Sequence, residues 1–205
     1  MTNRILMNIC KILTINDLRG KSVIEIGSKN VNGSVRPIME LLEPKSYVGV
    51  DIEPGDGVDL ICSMCDLINR FGKNNFDVAI STCLLEHIKN WQEAVSNLKH
   101  VVKEGGLIIV AVPHLWEYHG HPCDYWRFTS QDLKQIFSDC TIEGLIVEEG
   151  SQANIIGKIR KPLGFVENNL ASYQLKSINT ALNRIKSFLK LNAFRLGYAI
   201  YQKIG

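Results

Sequence analysis

The sequence predicts an α/β fold: a three-layer sandwich on a mostly parallel seven-stranded sheet with an antiparallel closing strand, plus a C-terminal helical appendage. Three observations predict it. Short apolar runs alternate with helix-like stretches up to about residue 157, the order that builds a parallel sheet flanked by helices. The runs are nearly unbroken Val and Ile rather than alternating apolar and polar, as strands covered on both faces require. Of 205 residues, 45% are hydrophobic and 21% charged, enough for a core that needs neither disulfides nor metals.

In chain order, strands are expected at residues 23–26, 47–51, 60–62, 76–80 and 107–112. Asn32-Gly33-Ser34 leads into a helical stretch with Pro37 in its first turn, a position that tolerates proline. After Asn90, an N-cap with Glu93 three residues on, Trp91, Ala94, Val95, Leu98, Val101 and Val102 share one helical face. Lys103-Glu104-Gly105-Gly106 is read as ending that helix and opening the next strand. Thr129 with Asp132 marks another helix start. Residues 141–148 and 154–159 then supply an antiparallel hairpin that closes the sheet. Further on, Leu175, Ile178, Leu182, Ile185 and Leu189 follow a three-four spacing, and Phe194, Tyr198 and Tyr201 extend the stripe. That pattern predicts a long amphipathic helix. The expected organisation is one domain over residues 1–160 and a basic helical extension over 161–205.

Charge divides the same way. From Lys158 onward there are nine Lys or Arg and one acid, Glu167, whereas the first 157 residues hold 14 basic and 20 acidic residues. A basic amphipathic helix has three uses: packing on its own domain, pairing two copies as a homodimer, or lying on an anionic membrane. In the last case each Lys or Arg contributes about 1 kcal/mol near the lipid. Nucleic acid is not expected as a partner, because the positive charge is confined to the tail and no binding motif accompanies it. No window approaches the roughly 18 uninterrupted apolar residues of a membrane span. Residues 1–11 lack a signal-peptide layout. The six cysteines (Cys10, Cys62, Cys65, Cys83, Cys123, Cys140) are scattered without a disulfide framework. The expectation is a cytoplasmic protein, with peripheral contact at the inner face of the membrane as one use of the tail.

The ligand class is read from two strand ends. The first strand leads into Val23-Ile24-Glu25-Ile26-Gly27-Ser28 and the second ends Val48-Gly49-Val50-Asp51. An acid at the tip of the second strand, some 20 residues beyond the first turn, holds ribose hydroxyls in dinucleotide-binding folds. Glu25 argues against a dinucleotide: a pyrophosphate at that turn would face a carboxylate where the helix N-terminus should attract an anion. The three-glycine fingerprint is also incomplete, with only Gly27 at the tight turn. S-adenosylmethionine has no phosphate and carries an ammonium and a sulfonium, which suit two carboxylates. The alternative is that Glu25 and Asp51 cap helices or sit in solvated loops.

Five ordered pieces carry a family resemblance: the two strand ends above, Phe76-Asp77-Val78-Ala79-Ile80-Ser81, Leu85-Glu86-His87-Ile88, and Val102-Lys103-Glu104-Gly105-Gly106-Leu107. Over residues 21–129 the chain resembles a class I S-adenosylmethionine-dependent methyltransferase of the type 11 methyltransferase-domain group, a Rossmann-like fold. The resemblance implies that Glu25, Gly27 and Ser28 face the methionine part of the cofactor. Asp51 would hold the ribose with Ile52 beside the adenine, and residues 62–67, through Ser63, Met64 and Asp66, would wrap the adenine edge. The backbone around Ser81 and Cys83 would lie below the sulfonium, and S-adenosylhomocysteine would be the product. The chain departs from the family where further glycines are usual, at Lys29 and Val31, and where Asp is frequent, at Ser63.

The acceptor side is read from residues 113–129. In such a sheet ligands collect at the carboxyl ends of the strands, so this loop lies beside the reacting methyl group. It is rich in imidazole, indole and carboxylate, and it resembles a stretch of some bacterial methyltransferases associated with glycan-modifying pathways. The implied acceptor is a small or saccharide-like molecule, methylated at oxygen. His119 and His121 are the candidate general bases, with Asp124 orienting one of them and His87 as a rival base. Arg127 would hold an anionic substrate group, beside His114 and Trp126. The alternative is that Trp126-Arg127-Phe128 anchors the loop and the histidines are incidental. Cys62-x-x-Cys65 with His119-x-His121-x-Cys123 offers zinc-type ligands, but Cys62 falls on a buried strand and free cysteine is commonly a small buried hydrophobe. No metal is expected. A second functional reading is a methyltransferase-like binding or regulatory module acting through its basic tail; a third is a nicotinamide-dependent oxidoreductase.

Overall fold

The computed structural model describes residues 3–120 and 123–178. Nine strands and six helices occur in order: α1 (Asn3–Ile12), α2 (Ile15–Leu18), β1 (Ser22–Ile26), α3 (Arg36–Glu40), β2 (Ser46–Asp51), β3 (Leu60–Ile61), α4 (Leu67–Phe71), β4 (Phe76–Thr82), α5 (Trp91–Val101), β5 (Val102–Pro113), β6 (Trp126–Arg127), α6 (Ser130–Ile136), β7 (Thr141–Val147), β8 (Asn154–Arg160) and β9 (Lys176–Ser177). Seven strands form one sheet in the order β3-β2-β1-β4-β5-β8-β7. Strands β1 to β5 pair in parallel, and β8 runs antiparallel to both β5 and β7.

Unbroken Val and Ile runs are explained by two apolar layers, one on each face. From β5, Ile108, Val110 and Val112 project into the layer that holds Val95 and Leu98 of α5 and Leu133 and Ile136 of α6. The intervening Leu107, Ile109 and Ala111 project into the other, with Ile5 and Ile9 of α1 and Met39 of α3. Successive side chains alternate faces, so a strand sandwiched between helices must be apolar at every position. Each such Val, Leu or Ile contributes about 1.5–3 kcal/mol by leaving water. A buried polar tie fixes α1 to the far edge: Asn8 donates to Glu148 (2.8 Å), whose other oxygen accepts from Asn154 (2.9 Å).

Two local expectations are corrected. Asn90 occupies the N-cap of α5 but makes no side-chain cap bond, so the helix start rests on packing of Trp91 instead. The pair Gly105-Gly106 does not end the helix. Strand β5 begins at once with Val102 opposite Phe76, and pairing resumes with Leu107 opposite Val78. Residues 103–106 are looped out as a bulge, with Gly105 at φ +75° and Gly106 too close to the Asp77 carbonyl (2.8 Å from an added Cβ) for any side chain. The capping box at Thr129 is present, with Asp132 accepting from the Thr129 N–H and Thr129 from the Asp132 N–H.

Residues 161–178 pack on the sheet domain. Leu170 and Leu175 enter the layer of α5 and α6. Lys99, fully buried, donates to Asp139 (2.7 Å), the Ile136 carbonyl (2.7 Å) and Asn168 (3.0 Å). The helical spacing read from Leu175 is not helical at its beginning: Lys176 and Ser177 form β9, antiparallel to Arg127 and Trp126 of β6. The remainder of that amphipathic stretch, and with it the membrane and dimer expectations, lies outside the described residues, as does His121. Among the described residues no helix is long and apolar enough to cross a membrane.

Candidate active site

Strand order reverses between β1 and β4, so the carboxyl ends of β1, β2, β4 and β5 frame the crevice where such sheets hold ligands. The turn after β1 is tight because Gly27 sits at φ +79° and both Gly27 and Ser28 donate to the Val50 carbonyl (2.8 and 3.1 Å). A Cβ on Gly27 would come within 3.1 Å of Leu84. The opposing turn is strained too: Cys83, a non-glycine residue, holds φ +51° while its N–H bonds the Ala111 carbonyl (2.8 Å). A left-handed non-glycine costs about 1–3 kcal/mol and persists only where surroundings impose it, typically at functional sites.

Residues 27–30 are interlocked with residues 53–58. Asn30 donates its backbone N–H to the Asp56 carbonyl (2.8 Å) and its side chain to the Asp56 carboxylate (2.9 Å). Lys29 pairs with Glu53 (2.6 Å). The fit is close: a Cβ on Gly49 would lie 2.2 Å from the Gly57 carbonyl, and one on Gly57 would lie 2.6 Å from the Ser28 carbonyl.

Asp51, at the tip of β2, accepts the Lys29 and Glu53 N–H groups, both at 3.2 Å, one on each oxygen. Each carboxylate oxygen has a further lone pair, so hydroxyl donors can still be accepted. Beside it Ile52 is 62% exposed, a bare apolar face at the position expected to meet adenine. Glu25 is buried, accepts the Tyr47 hydroxyl (2.7 Å), and is pushed up to about 7 by desolvation, which that hydrogen bond only partly offsets. The hydroxyls of Ser28 and Ser81 are buried at the same strand tips with no hydrogen-bond partner. An unsatisfied buried polar atom costs about 1–3 kcal/mol, and a polar ligand in the crevice would relieve it. These donors and carboxylates fit the methionine and ribose ends of S-adenosylmethionine. On the adenine side Ser63 caps the short turn Met64–Asp66 by accepting the Cys65 N–H (3.2 Å), and Asp66 accepts from Asn69 (3.3 Å). Met64 is only 2% exposed; its side chain packs in the core layer and leaves no free surface for adenine.

The acceptor loop is built around Arg127. Its five N–H donors go to the Trp116, Trp126 and Glu117 carbonyls (2.9, 2.7 and 2.7 Å) and to both oxygens of fully buried Asp124 (2.5 and 2.7 Å). No donor is left for a substrate anion. Arg127 therefore spends its donors on organising the loop, in keeping with the alternative reading of this segment as a loop anchor. Trp126 is likewise held, donating to the Ile88 carbonyl (2.8 Å), and His114 engages the Phe128 carbonyl through Nδ1 (2.7 Å). Asp124 also accepts the His119 N–H (3.0 Å) and stands 3.2 Å from His119 Nδ1. Burial lowers the His119 pKa, so its imidazole is neutral near pH 7. His87 bonds the Cys123 carbonyl through Nδ1, and its ring stands edge-on to His119 with centroids 5.4 Å apart.

Two groups here had no role in the sequence reading. Glu86 is 0% exposed and neither of its oxygens accepts a hydrogen bond from another residue; desolvation raises its pKa to about 8. The indole N–H of Trp116, whose ring lies 5.0 Å from that of His119, is also buried without a partner. The only sequence signal for Glu86 was its place in Leu85-Glu86-His87-Ile88, an acid between residues that the fold buries.

Residues 30–110 match the type 11 methyltransferase family model, described as a methyltransferase domain. No curated protein sequence matches the chain. Among solved structures, the chain is similar to 1,6-didemethyltoxoflavin-N1-methyltransferase of Burkholderia thailandensis, crystallised with its 1,6-didemethyltoxoflavin and S-adenosylhomocysteine. That match has a TM-score of 0.61, 13% identity, and covers 77% of this chain and 78% of that one. It is similar to an S-adenosylmethionine-dependent methyltransferase of Mesorhizobium loti (TM-score 0.58, 13% identity, 76% and 96% covered). It is also similar to geranyl diphosphate C-methyltransferase of Streptomyces coelicolor A3(2), complexed with Mg2+, geranyl diphosphate and S-adenosyl-L-homocysteine (TM-score 0.57, 9% identity, 76% and 78% covered). At such identities the likeness is one of fold; the family match and the fitted crevice add the chemistry. Over residues 30–110 the chain matches a methyltransferase domain, and its fold is that of S-adenosylmethionine-dependent methyltransferases.

Proposed function

We propose that this methyltransferase alkylates a hydroxyl oxygen of a small or saccharide-like acceptor. One observation carries the reading: two imidazoles, those of His87 and His119, stand edge to face at the carboxyl ends of β4 and β5, the side of the crevice where an acceptor must approach. Two of the similar enzymes are bound to 1,6-didemethyltoxoflavin and to geranyl diphosphate, so the fold leaves the acceptor to the loop. When bound, S-adenosylmethionine supplies an electrophilic methyl group on a sulfonium, already a good leaving group.

The protein's work is then alignment and proton removal. Asp51 accepts the ribose hydroxyls; Ser28 and Ser81 offer hydroxyls to the methionine end; Glu25 matches its ammonium. Holding both reactants in line supplies most of the advantage. An alcohol must also lose its proton as the new C–O bond forms, and the imidazole pair is where we place that loss. His121, the other candidate, lies outside the described residues.

The test is turnover of the purified chain with S-adenosylmethionine against a panel of hydroxylated small molecules and saccharides. It is scored by S-adenosylhomocysteine release and by a mass gain of about 14 Da, one CH2 unit, on the acceptor. Methylation of an alcohol, slowed by His119→Ala without loss of cofactor affinity, is the expected outcome. Cofactor binding with methylation only of nitrogen or carbon acceptors would overturn the oxygen assignment.

A further inference from the structure

Glu86 is unlike every other acid at the site. It lies in the 3-10 turn after β4, is fully buried, and has both oxygens unpartnered. Two imidazoles stand beside it. His87 Nε2 is 3.8 Å from Glu86 Oε1, and one ligand atom each from Glu86, His87 and His119 lies within 4.8 Å of the other two.

Both imidazoles are oriented by their other nitrogen. His87 Nδ1 donates to the Cys123 carbonyl, which turns Nε2 toward Glu86 as the nitrogen that can ligate. His119 Nδ1 has Arg127 Nη2 and Asp124 Oδ2 at 3.2 Å. Both Nη2 hydrogens are already given to Asp124 and the Glu117 carbonyl, so Nδ1 of His119 carries the proton and donates to the Glu117 carbonyl (3.3 Å), with the Asp124 carboxylate beside it. A carbonyl or carboxylate on the far nitrogen is the usual support of a metal-bound histidine. Around a tetrahedral ion with bonds of about 2.0–2.1 Å, donors stand roughly 3.3 Å apart, so a side-chain movement of about 1.5 Å closes the set.

We propose that Glu86, His87 and His119 bind one divalent first-row transition ion through a carboxylate and two imidazole nitrogens. Two imidazoles with one carboxylate suit zinc or iron(II), whereas magnesium and calcium prefer oxygen donors. Three protein ligands leave a coordination position open. Resting on the methyl-transfer reading, that position holds the acceptor oxygen: with the ion bound the two imidazoles serve as ligands in place of a base, and the ion eases loss of the hydroxyl proton to solvent. Neither Cys62 nor Cys65 belongs to the group, so this is not the cysteine-containing zinc site weighed from the sequence.

The experiment is calorimetric titration of the tag-free, chelator-treated full chain with Zn2+, alongside a parallel titration with S-adenosylhomocysteine. One ion per chain is expected, with affinity falling by 100-fold or more, on the order expected for a lost ligand, in Glu86→Gln and His119→Ala. His100→Ala and Cys62→Ser should bind as the parent does. Co2+ added to the parent chain should give the absorption bands of nitrogen and oxygen ligation without a thiolate charge-transfer band, a readout that needs no variant to fold. Absence of binding, affinity unchanged by Glu86→Gln and His119→Ala, or a thiolate band would overturn the proposal. S-adenosylhomocysteine binding in those same samples would leave the methyltransferase reading standing; its absence would strike that reading instead.

Discussion

Replacing Arg127 by Met tests whether the guanidinium serves the loop or a substrate. Its side chain is 7% exposed and that of Asp124 is 0% exposed. Removing the cation leaves a buried carboxylate without its bidentate partner and takes one donor from each of three loop carbonyls. Breaking a buried pair from one side costs about 3–5 kcal/mol. For a domain of this size that corresponds to a fall in Tm of roughly 6–20 °C if the loop unfolds with the rest. The loop can also open by itself, which caps the global effect and shows instead as cleavage between residues 114 and 128. Thermal melts and limited proteolysis of Arg127→Met read both outcomes, and S-adenosylhomocysteine titration should show affinity nearly unchanged. In Asp124→Leu with Arg127→Met no charge is left unpaired, so the double variant should melt above the single one. Unchanged melting and proteolysis, with only a higher KM for an anionic acceptor, would show that the guanidinium meets substrate and that the loop argument fails.

Further expectations concern the cofactor. Asp51→Ala removes a charged acceptor of two hydroxyls, an interaction worth about 1.5–3 kcal/mol, so titration should show S-adenosylhomocysteine binding roughly 10- to 150-fold weaker; unaltered affinity would disconnect Asp51 from the ribose. Gly27→Ala forces a left-handed backbone on a side chain and presses on Leu84; it should lower Tm and weaken cofactor binding by about 1–2 kcal/mol each, and a neutral result would mean that the turn relaxes freely. Glu25, held at about 7 against an ordinary 4.5, keeps its proton in the folded state where the unfolded chain releases it. Its contribution to stability is therefore full below about 4.5 and is lost as pH rises to about 7. A cation brought beside it favours ionisation, so binding near pH 6.5 should release a proton, seen as buffer-dependent heats that vanish in Glu25→Gln. Heats that do not depend on the buffer would place the ammonium elsewhere.

The strands were legible because a sheet covered on both faces leaves no polar positions, and Val78 or Ile109 can be read as buried without knowing what covers them. Gly105-Gly106 misled for the opposite reason. A glycine pair after a helix looks locally like a cap, and only the approach of Asp77 from the neighbouring strand makes it a bulge. Leu175 and Ile178 share helical spacing with the residues C-terminal to them, yet Lys176 and Ser177 pair with a strand roughly 50 residues earlier, a loop closure that no local pattern records. Glu25, Gly27 and Asp51 stood at strand tips and could be placed by counting. Arg127 could not, since its role depends on three carbonyls that converge only after the loop has folded. Glu86 was missed because its isolation arises from the surrounding fold, not from the residues beside it in sequence.

The interlock of residues 27–30 with residues 53–58 also bears on how a ligand gets in. With Gly57 packed too close to the Ser28 carbonyl for a methyl group, the two segments fit tightly together, and Asn30 ties them at both backbone and side chain. The two rims of the nucleoside cleft consequently lift as one piece. On that geometry, a substitution that loosens one rim should loosen the other.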